Sequence, residues 1–303
     1  MRKRTSLFNE KGLWTEVEKP DLNNFRQETA AQYTRRVLRQ GGRAKKSLGQ
    51  NFLIDDRIIE RIVEEGIPEG NFPLIEIGPG PGGLTRVLFR RVKHLWAVEL
   101  DGEKVALLQK EFAGQPITIL HADALKIRLS DLWGREKGWL VGNLPYYITN
   151  PLLMHFVEQK DSLLGMTVMV QKEVAERMRA KPGGKDYGIL SIALQISAEV
   201  EKLFDVPPSA FWPQPKVTSA VMKLKIRPYP GFTADRQLFF QVVRAAFAKR
   251  RKNLLNSLSL GLGKPKEDIL KALKTAGINP ELRAENVGIL EYQQIVEALN
   301  FPG

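Results

Sequence analysis

The residues most able to do chemistry cluster at a glycine-rich turn, Ile75-Glu76-Ile77-Gly78-Pro79-Gly80-Pro81-Gly82-Gly83-Leu84-Thr85. Glycine lets a backbone turn sharply and approach a ligand where a Cβ would collide. Gly78, Gly80 and Gly83 fit the spacing G-x-G-x-x-G, by itself a weak signal. Three polar residues sharpen it, because Glu99, Asp123 and Asn143 each end the next apolar runs in order. An acidic side chain roughly 20 residues beyond such a turn can accept hydrogen bonds from ribose hydroxyls. Asp123 could meet an adenine. Two ligands suit this set, a nicotinamide dinucleotide or S-adenosylmethionine, and the glycine loop does not separate them. Asn143-Leu144-Pro145-Tyr146 then follows the fourth run, built from residues common in turns.

These residues need elements to hold them. Residues 55–65 place Ile58, Ile59, Ile62 and Val63 on one helical face, with Asp55 or Asp56 as cap. Short apolar runs at 73–78, 94–100, 117–121, 139–142 and 163–170 read as buried strands. Helical patterns at 84–92, 103–112, 151–158, 171–178 and 189–198 separate or follow them. This alternation predicts an α/β fold with a parallel sheet covered on both faces, whose strand ends would carry all four candidate points. A last strand is expected over 217–226. After Arg227-Pro228 and Tyr229-Pro230 the pattern is helical, with Phe239, Val242, Val243, Ala246 and Phe247 at three-and-four spacing. The expected division is a basic, partly disordered extension over 1–46, an α/β domain over 47–230 and a smaller all-helical domain over 231–303. A possible basic helix spans 30–40, stopped by Gly41-Gly42.

Composition bounds the partners. The chain has 303 residues, 46 Lys/Arg against 34 Asp/Glu and a net charge of +12, which favours a polyanion. Residues 1–46 alone hold twelve basic against five acidic side chains, a surplus of seven. Arg35, Arg36, Arg39, Arg43, Lys45 and Lys46 form one candidate phosphate-binding patch, and Lys249-Arg250-Arg251-Lys252 another, continuing the helix that starts near Asp235. Lys181 and Lys185, in a Gly-rich loop, make a weaker third. With no cysteine there are no disulfides, thiolate metal sites or cysteine nucleophiles, which fits a reducing, cytoplasmic setting. No run approaches the roughly 20 apolar residues of a membrane span, and Arg2-Lys3-Arg4 lacks a following apolar segment, so no secretory leader is expected. His94, His121 and His155 lie far apart and read as structural, so no metal is expected.

Asn143-Leu144-Pro145-Tyr146 decides between the two ligands, because Asn-x-Pro-Tyr after the fourth strand resembles the motif of enzymes that methylate exocyclic amino groups of bases. The likeness then widens. Residues 47–53 (Ser-Leu-Gly-Gln-Asn-Phe-Leu), Glu99-Leu100-Asp101, Asp123-Ala124, Gln171-Lys172-Glu173-Val174, Pro207-Pro208-Ser209-Ala210-Phe211, Pro213-Gln214-Pro215-Lys216-Val217 and Arg283-Ala284-Glu285-Asn286 resemble the small-subunit ribosomal RNA adenine N6,N6-dimethyltransferases. The match runs from about residue 30 to the end and leaves 1–24 aside.

That resemblance implies a Rossmann-like sheet of the S-adenosylmethionine-dependent methyltransferase type. It implies dimethylation at N6 of two adjacent adenosines in the 3′-terminal hairpin of small-subunit rRNA, with a role in subunit assembly. It implies that Gln50, Asn51, Leu53, Gly78, Gly80, Glu99, Asp123 and Asn143 frame the donor. Asn143 and the Leu144 carbonyl would accept the target N–H groups, Pro145 would fix the turn, and Tyr146 and Phe211 would stack on the base. Arg43, Lys45, Lys46 and residues 249–252 would meet RNA, in a chain expected as a monomer. A large-subunit rRNA methyltransferase of resistance type, an N6-adenine DNA methyltransferase, a non-catalytic nucleic-acid-binding factor and, last, a dehydrogenase are the alternatives.

Overall fold

A computed structural model of the chain describes residues 4–8, 14–18, 28–40, 43–45, 48–249 and 251–299. The chain divides into two units, Met1–Lys172 with Lys202–Leu224, and Glu173–Glu201 with Lys225–Gly303. This division differs from the expected break after residue 230, since Glu173–Glu201 groups with Lys225–Gly303.

In the first unit, β1 (Arg4–Phe8) and β2 (Trp14–Glu18) pair antiparallel, where an irregular extension was expected. Helix α1 (Ala30–Arg39) follows, opened by a capping box between Thr29 and Gln32. It is no appendage. Ala30, Tyr33 and Val37 recur at three-and-four spacing and join the unit's apolar core, which is why the helix docks. The Tyr33 hydroxyl donates to Pro81 O of the glycine turn at 3.1 Å. Asp56 accepts from Ala30 N at 2.8 Å and pairs with Arg86, whose guanidinium also donates to Glu28 O at 2.8 Å.

β3 (Phe52–Leu53) leads to α2 (Asp56–Arg61), capped by the Asp55 side chain and continued by a wider turn, Ile62–Gly66. Then come β4 (Leu74–Ile77), α3 (Thr85–Leu88), β5 (Leu95–Glu99), α4 (Gly102–Glu111), β6 (Ile117–His121), α5 (Leu129–Trp133), β7 (Gly138–Asn143), α6 (Thr149–Glu158) and β8 (Leu163–Gln171). The sheet has seven strands in the order β6-β5-β4-β7-β8-β11-β9, with β9 at Ala198–Val206 and β11 at Ser219–Ile226. β4 pairs parallel with β5 and β7, β5 with β6, and β7 with β8. Burial on both faces explains why the central strands are mostly apolar. Register sets Ile77 against Val98 and Gly142, and Glu99 against His121, so the carboxyl ends of four strands open on one edge. β10 (Phe211–Trp212) pairs antiparallel with β3 outside this sheet.

The second unit contains α7 (Lys172–Arg179), α8 (Ile189–Gln195), α9 (Arg236–Phe247), α10 (Leu254–Leu262), α11 (Lys266–Thr275) and α12 (Ile289–Ala298). Its polar ties explain the regrouping of 173–201. Ser191 Oγ donates to Arg177 O at 2.6 Å, Gly183 N to Glu285 O at 2.8 Å, and Arg236 to Ser197 Oγ at 2.7 Å. Phe239 anchors the interior edge-on to Phe232, Phe240 and Tyr292. Among the described residues no helix is long and apolar enough to cross a membrane.

Candidate active site

The carboxyl ends of β4, β5, β6 and β7 surround one open cleft of about 780 Å³. Gln50, Asn51, Gly78, Gly80, Glu99, Asp123, Asn143, Leu144, Pro145 and Tyr146 all line it. Sequence positions 50 to 146 thus converge because parallel pairing aligns strand ends, and a ligand in such a sheet sits there.

The glycine turn needs its glycines. Gly78 and Gly80 take φ values of +68° and +56°, which side chains disfavour. A Cβ on Gly80 would lie 2.8 Å from the Phe52 ring, whereas one on Gly78 would meet Asn143 O at an ordinary contact distance of 3.8 Å. Glu99 holds the turn from β5: one carboxylate oxygen accepts from Gly80 N at 3.0 Å, the other from Asp101 N at 2.9 Å. Burial raises the Glu99 pKa above the usual carboxylate value, and those two N–H donors oppose the rise. Behind it on β4, Glu76 is only 2% exposed, and its Oε2 lacks a hydrogen-bond partner among the described residues. Burial pushes the Glu76 carboxyl up to about 8, so it is protonated at neutral pH.

The opposite wall comes from residues 43–53, and Asp101 fastens it. Lys45 Nζ reaches Asp101 at 2.7 Å, Gln50 Nε2 donates to it at 3.2 Å, and the fully buried Lys104 donates to Arg43 O at 3.0 Å. Burial works against the Asp101 charge, but Lys45 and Gln50 hold its carboxyl below the usual range. Asp123 spends one oxygen on Leu125 N at 2.9 Å, capping the turn after β6.

At the end of β7, the Asn143 amide nitrogen donates to Asn51 O at 2.8 Å. That bond fixes the side chain and leaves its oxygen as the end available to a ligand N–H. Leu144 N donates to Met169 O at 3.1 Å, and Pro145 O accepts from Ile148 N and Thr149 Oγ1. Tyr146 packs half-buried with its hydroxyl 2.7 Å from Ser219 Oγ; burial raises its pKa, so the phenol stays neutral.

Two expected residues stand elsewhere. Leu53 is buried in β3 and lines a smaller neighbouring cavity with Glu76 and Gly83 instead of the cleft. Phe211, expected as a stacking aromatic, is 2% exposed in the apolar core. It pairs with Leu53 in a strand, and alternation turns its neighbour Trp212 outward instead. Sequence reasoning missed Phe52 and Tyr147, both in the cleft lining. Tyr147 adjoins the Asn-x-Pro-Tyr turn, which is the signal that could have found it.

The basic patches also differ from expectation. Arg36 forms paired bonds with Glu28 and Glu111, and Lys45 is committed to Asp101 and Glu103, while Arg35, Arg39 and Arg43 are exposed. α9 ends at Phe247, so Lys249, Arg251 and Lys252 lie exposed on a turn and do not continue the helix. Lys46 and Arg250 lie outside the described residues. His94, His121 and His155 each bond within the fold, to Thr118, Leu100 O and Ile127 O.

A parallel sheet with a glycine turn on its first strand, a carboxylate ending the second and Asn-Leu-Pro-Tyr ending the fourth defines a Rossmann-like methyltransferase. The family model for ribosomal RNA adenine dimethylase matches residues 41–300, and the chain belongs to that family. It is 61% identical over 272 residues to ribosomal RNA small subunit methyltransferase A of Desulfitobacterium hafniense, covering 90% of this chain and 98% of that one. With the protein of the same name from Geobacillus thermodenitrificans it shares 44% over 277 residues, covering 88% and 94%. Among solved structures, the 23S rRNA methyltransferase ErmE is 28% identical with a TM-score of 0.63, over 83% of this chain and all of that one. A dimethyladenosine transferase from Plasmodium falciparum shares the fold, at TM-score 0.68 and 23% identity over 80% of this chain and 95% of that one.

Proposed function

We propose that this chain dimethylates adenosine at N6 in small-subunit rRNA, with S-adenosylmethionine as methyl donor. The carrying observation is the Asn143 amide, fixed by Asn51 O at 2.8 Å beside the glycine turn and Glu99. The donor set fits such a ligand. Gly78 leaves backbone at the cleft wall, and Glu99 keeps lone pairs for ribose hydroxyls. When bound, the sulfonium donor supplies an electrophilic methyl group with a neutral leaving group.

The chain's own task is orientation. The adenine amine is a weak nucleophile because its lone pair is delocalised into the ring. Asn143 Oδ1 and Leu144 O accept its N–H groups, turning the lone pair out of conjugation and facing the positive charge that grows on nitrogen. Pro145 offers no competing N–H in the turn. Tyr146 stacks on the base once it leaves its helix. After the first transfer breaks the S–CH3 bond and forms N–CH3, the cationic nitrogen gives one proton to solvent, and either acceptor can hold the single N–H that remains. Lys249, Arg251 and Lys252, with Arg35, Arg39 and Arg43, supply phosphate contacts that position RNA without reading sequence. The substrate is then a maturing small subunit in the cytoplasm, with the two adjacent adenosines of its 3′ hairpin as targets. Identity of 61% to a small-subunit enzyme against 28% to a large-subunit one supports this choice of rRNA.

The test is to incubate the protein with labelled S-adenosylmethionine and unmethylated small-subunit particles, digest the RNA and identify the nucleosides. N6,N6-dimethyladenosine at two neighbouring positions is expected. Label only in large-subunit RNA or DNA would refute the substrate, and no label with RNA still bound would refute the enzyme reading.

A further inference from the structure

We infer that Tyr147 is a stacking platform at the mouth of the cleft, receiving the nucleobase that flanks the target adenosine; this rests on the rRNA-methylating reading above. Tyr147 lines the cleft yet is 55% exposed, against 42% for Trp212. Its neighbour Tyr146 is tied inward by Ser219. The two rings therefore divide between the interior and the rim of one site.

The backbone makes that division rigid. Pro145 O accepts from Ile148 N at 3.1 Å and from Thr149 Oγ1 at 3.0 Å, closing a tight turn over Tyr146–Ile148 that runs straight into α6. One edge of the Tyr147 ring lies beside Gly49, where a Cβ would fall 3.2 Å from Cδ1 and 3.5 Å from Cε1. Gly49 sits at φ +58°, so a side chain there is disfavoured twice over, by conformation and by the ring. The result is an aromatic ring set against backbone along one edge and more than half exposed.

A base that swings into the cleft leaves its neighbour without a stacking partner. An exposed aromatic at the rim replaces that partner, and base–aromatic stacking tolerates any base because each has a π-face. Phe211, buried in the core, does not compete for this role.

The experiment uses the full chain, unmethylated small-subunit particles and the variants Tyr147→Leu and Tyr147→Phe. Tyr147→Leu should raise the RNA KM roughly five- to 150-fold, the range for losing one stacked base. Its melting temperature and its affinity for S-adenosylmethionine, titrated without RNA, should match the parent, and Tyr147→Phe should restore the RNA KM. A Leu variant with the parental RNA KM, a Leu variant whose donor affinity falls as far as its RNA affinity, or a Phe variant as weak as Leu overturns the inference. A measurement on the unaltered chain stands apart from any folding defect. A hairpin with 2-aminopurine beside the target should stay quenched on binding, and a bright signal there overturns the inference. If the parent methylates no small-subunit RNA, the underlying reading falls and takes this inference with it; parental turnover with an unaffected Leu variant removes this inference alone.

Discussion

Replacing Glu76 by glutamine should flatten the pH dependence of this protein's stability between about pH 4.5 and 8. Glu76 sits in the central strand β4 with apolar residues before and after it, fully enclosed. Burial disfavours its charged form and raises its pKa from an ordinary 4.5 to about 8. The native state therefore keeps the proton over an interval where the unfolded chain releases it. Stability from this group is complete below pH 4.5, declines as the pH rises, and is lost above about 8. Each pH unit across that interval removes about 1.4 kcal/mol, so the whole span amounts to about 5 kcal/mol. Glutamine has the same shape and no proton to release, so its own cost, whatever its size, is constant with pH. All five tryptophans lie at 14, 96, 133, 139 and 212, within the first unit, so their fluorescence reports the unit that holds Glu76. Urea unfolding followed by that signal at pH 5, 6, 7 and 8 gives the slope for both proteins, and their difference isolates residue 76 from every other titrating group. Equal slopes would refute the reasoning, because the residue would then titrate alike in both states.

Asn143→Ala removes the fixed acceptor at the end of β7 and should lower turnover about 10²- to 10³-fold while RNA is still retained in a filter-binding assay; undiminished turnover would remove Asn143 from the chemistry. Gly80→Ala forces a side chain into φ +56° and to within 2.8 Å of the Phe52 ring, so calorimetric titration should find S-adenosylmethionine binding weakened about five- to thirtyfold, the range for roughly 1–2 kcal/mol of backbone strain. Neutralising Lys249, Arg251 and Lys252 together should weaken RNA binding and make its log–log salt slope shallower by about 2, at roughly 0.7–0.9 per phosphate contact. A slope identical to the parent's would mean that this turn touches no phosphate.

The parts of the fold that could be read from sequence are those in which one physical rule acts alone. β5, β7 and β8 were legible because strands buried on both faces are mostly apolar, β4 and β6 as short, mostly apolar runs, and the strand ends located the glycine turn, Glu99, Asp123 and Asn143 in the right order. β9 was not, because it ends the sheet order and its sequence, Ala-Glu-Val-Glu-Lys-Leu-Phe-Asp-Val, carries the charges of an edge strand. Helix α1 was legible as a helix but not as core, since Arg35, Arg36 and Arg39 masked the Ala30, Tyr33 and Val37 stripe. Phe211 shows the limit for site residues. Its type suits stacking, but a two-residue strand fixes which way it faces, and no local pattern announces that pairing with β3.

The same limit explains why the front wall of the cleft was visible only as scattered polar letters. Lys45 and Gln50 read as candidates for RNA and donor contact, and each spends its polar end on Asp101, more than fifty residues away. Asp101 in turn caps α4 through Glu103 N and offers its own N–H to Glu99, which holds Gly80. A chain of hydrogen bonds thus runs from the 43–53 segment through β5 to the glycine turn. On the other side, Asn143 closes the circuit by binding Asn51 O. Asn143 and the glycine turn are therefore fixed to one and the same segment. Preorganised electrostatics need their dipoles held before substrate arrives, and this loop of bonds holds them with side chains that a charge count would assign to solvent.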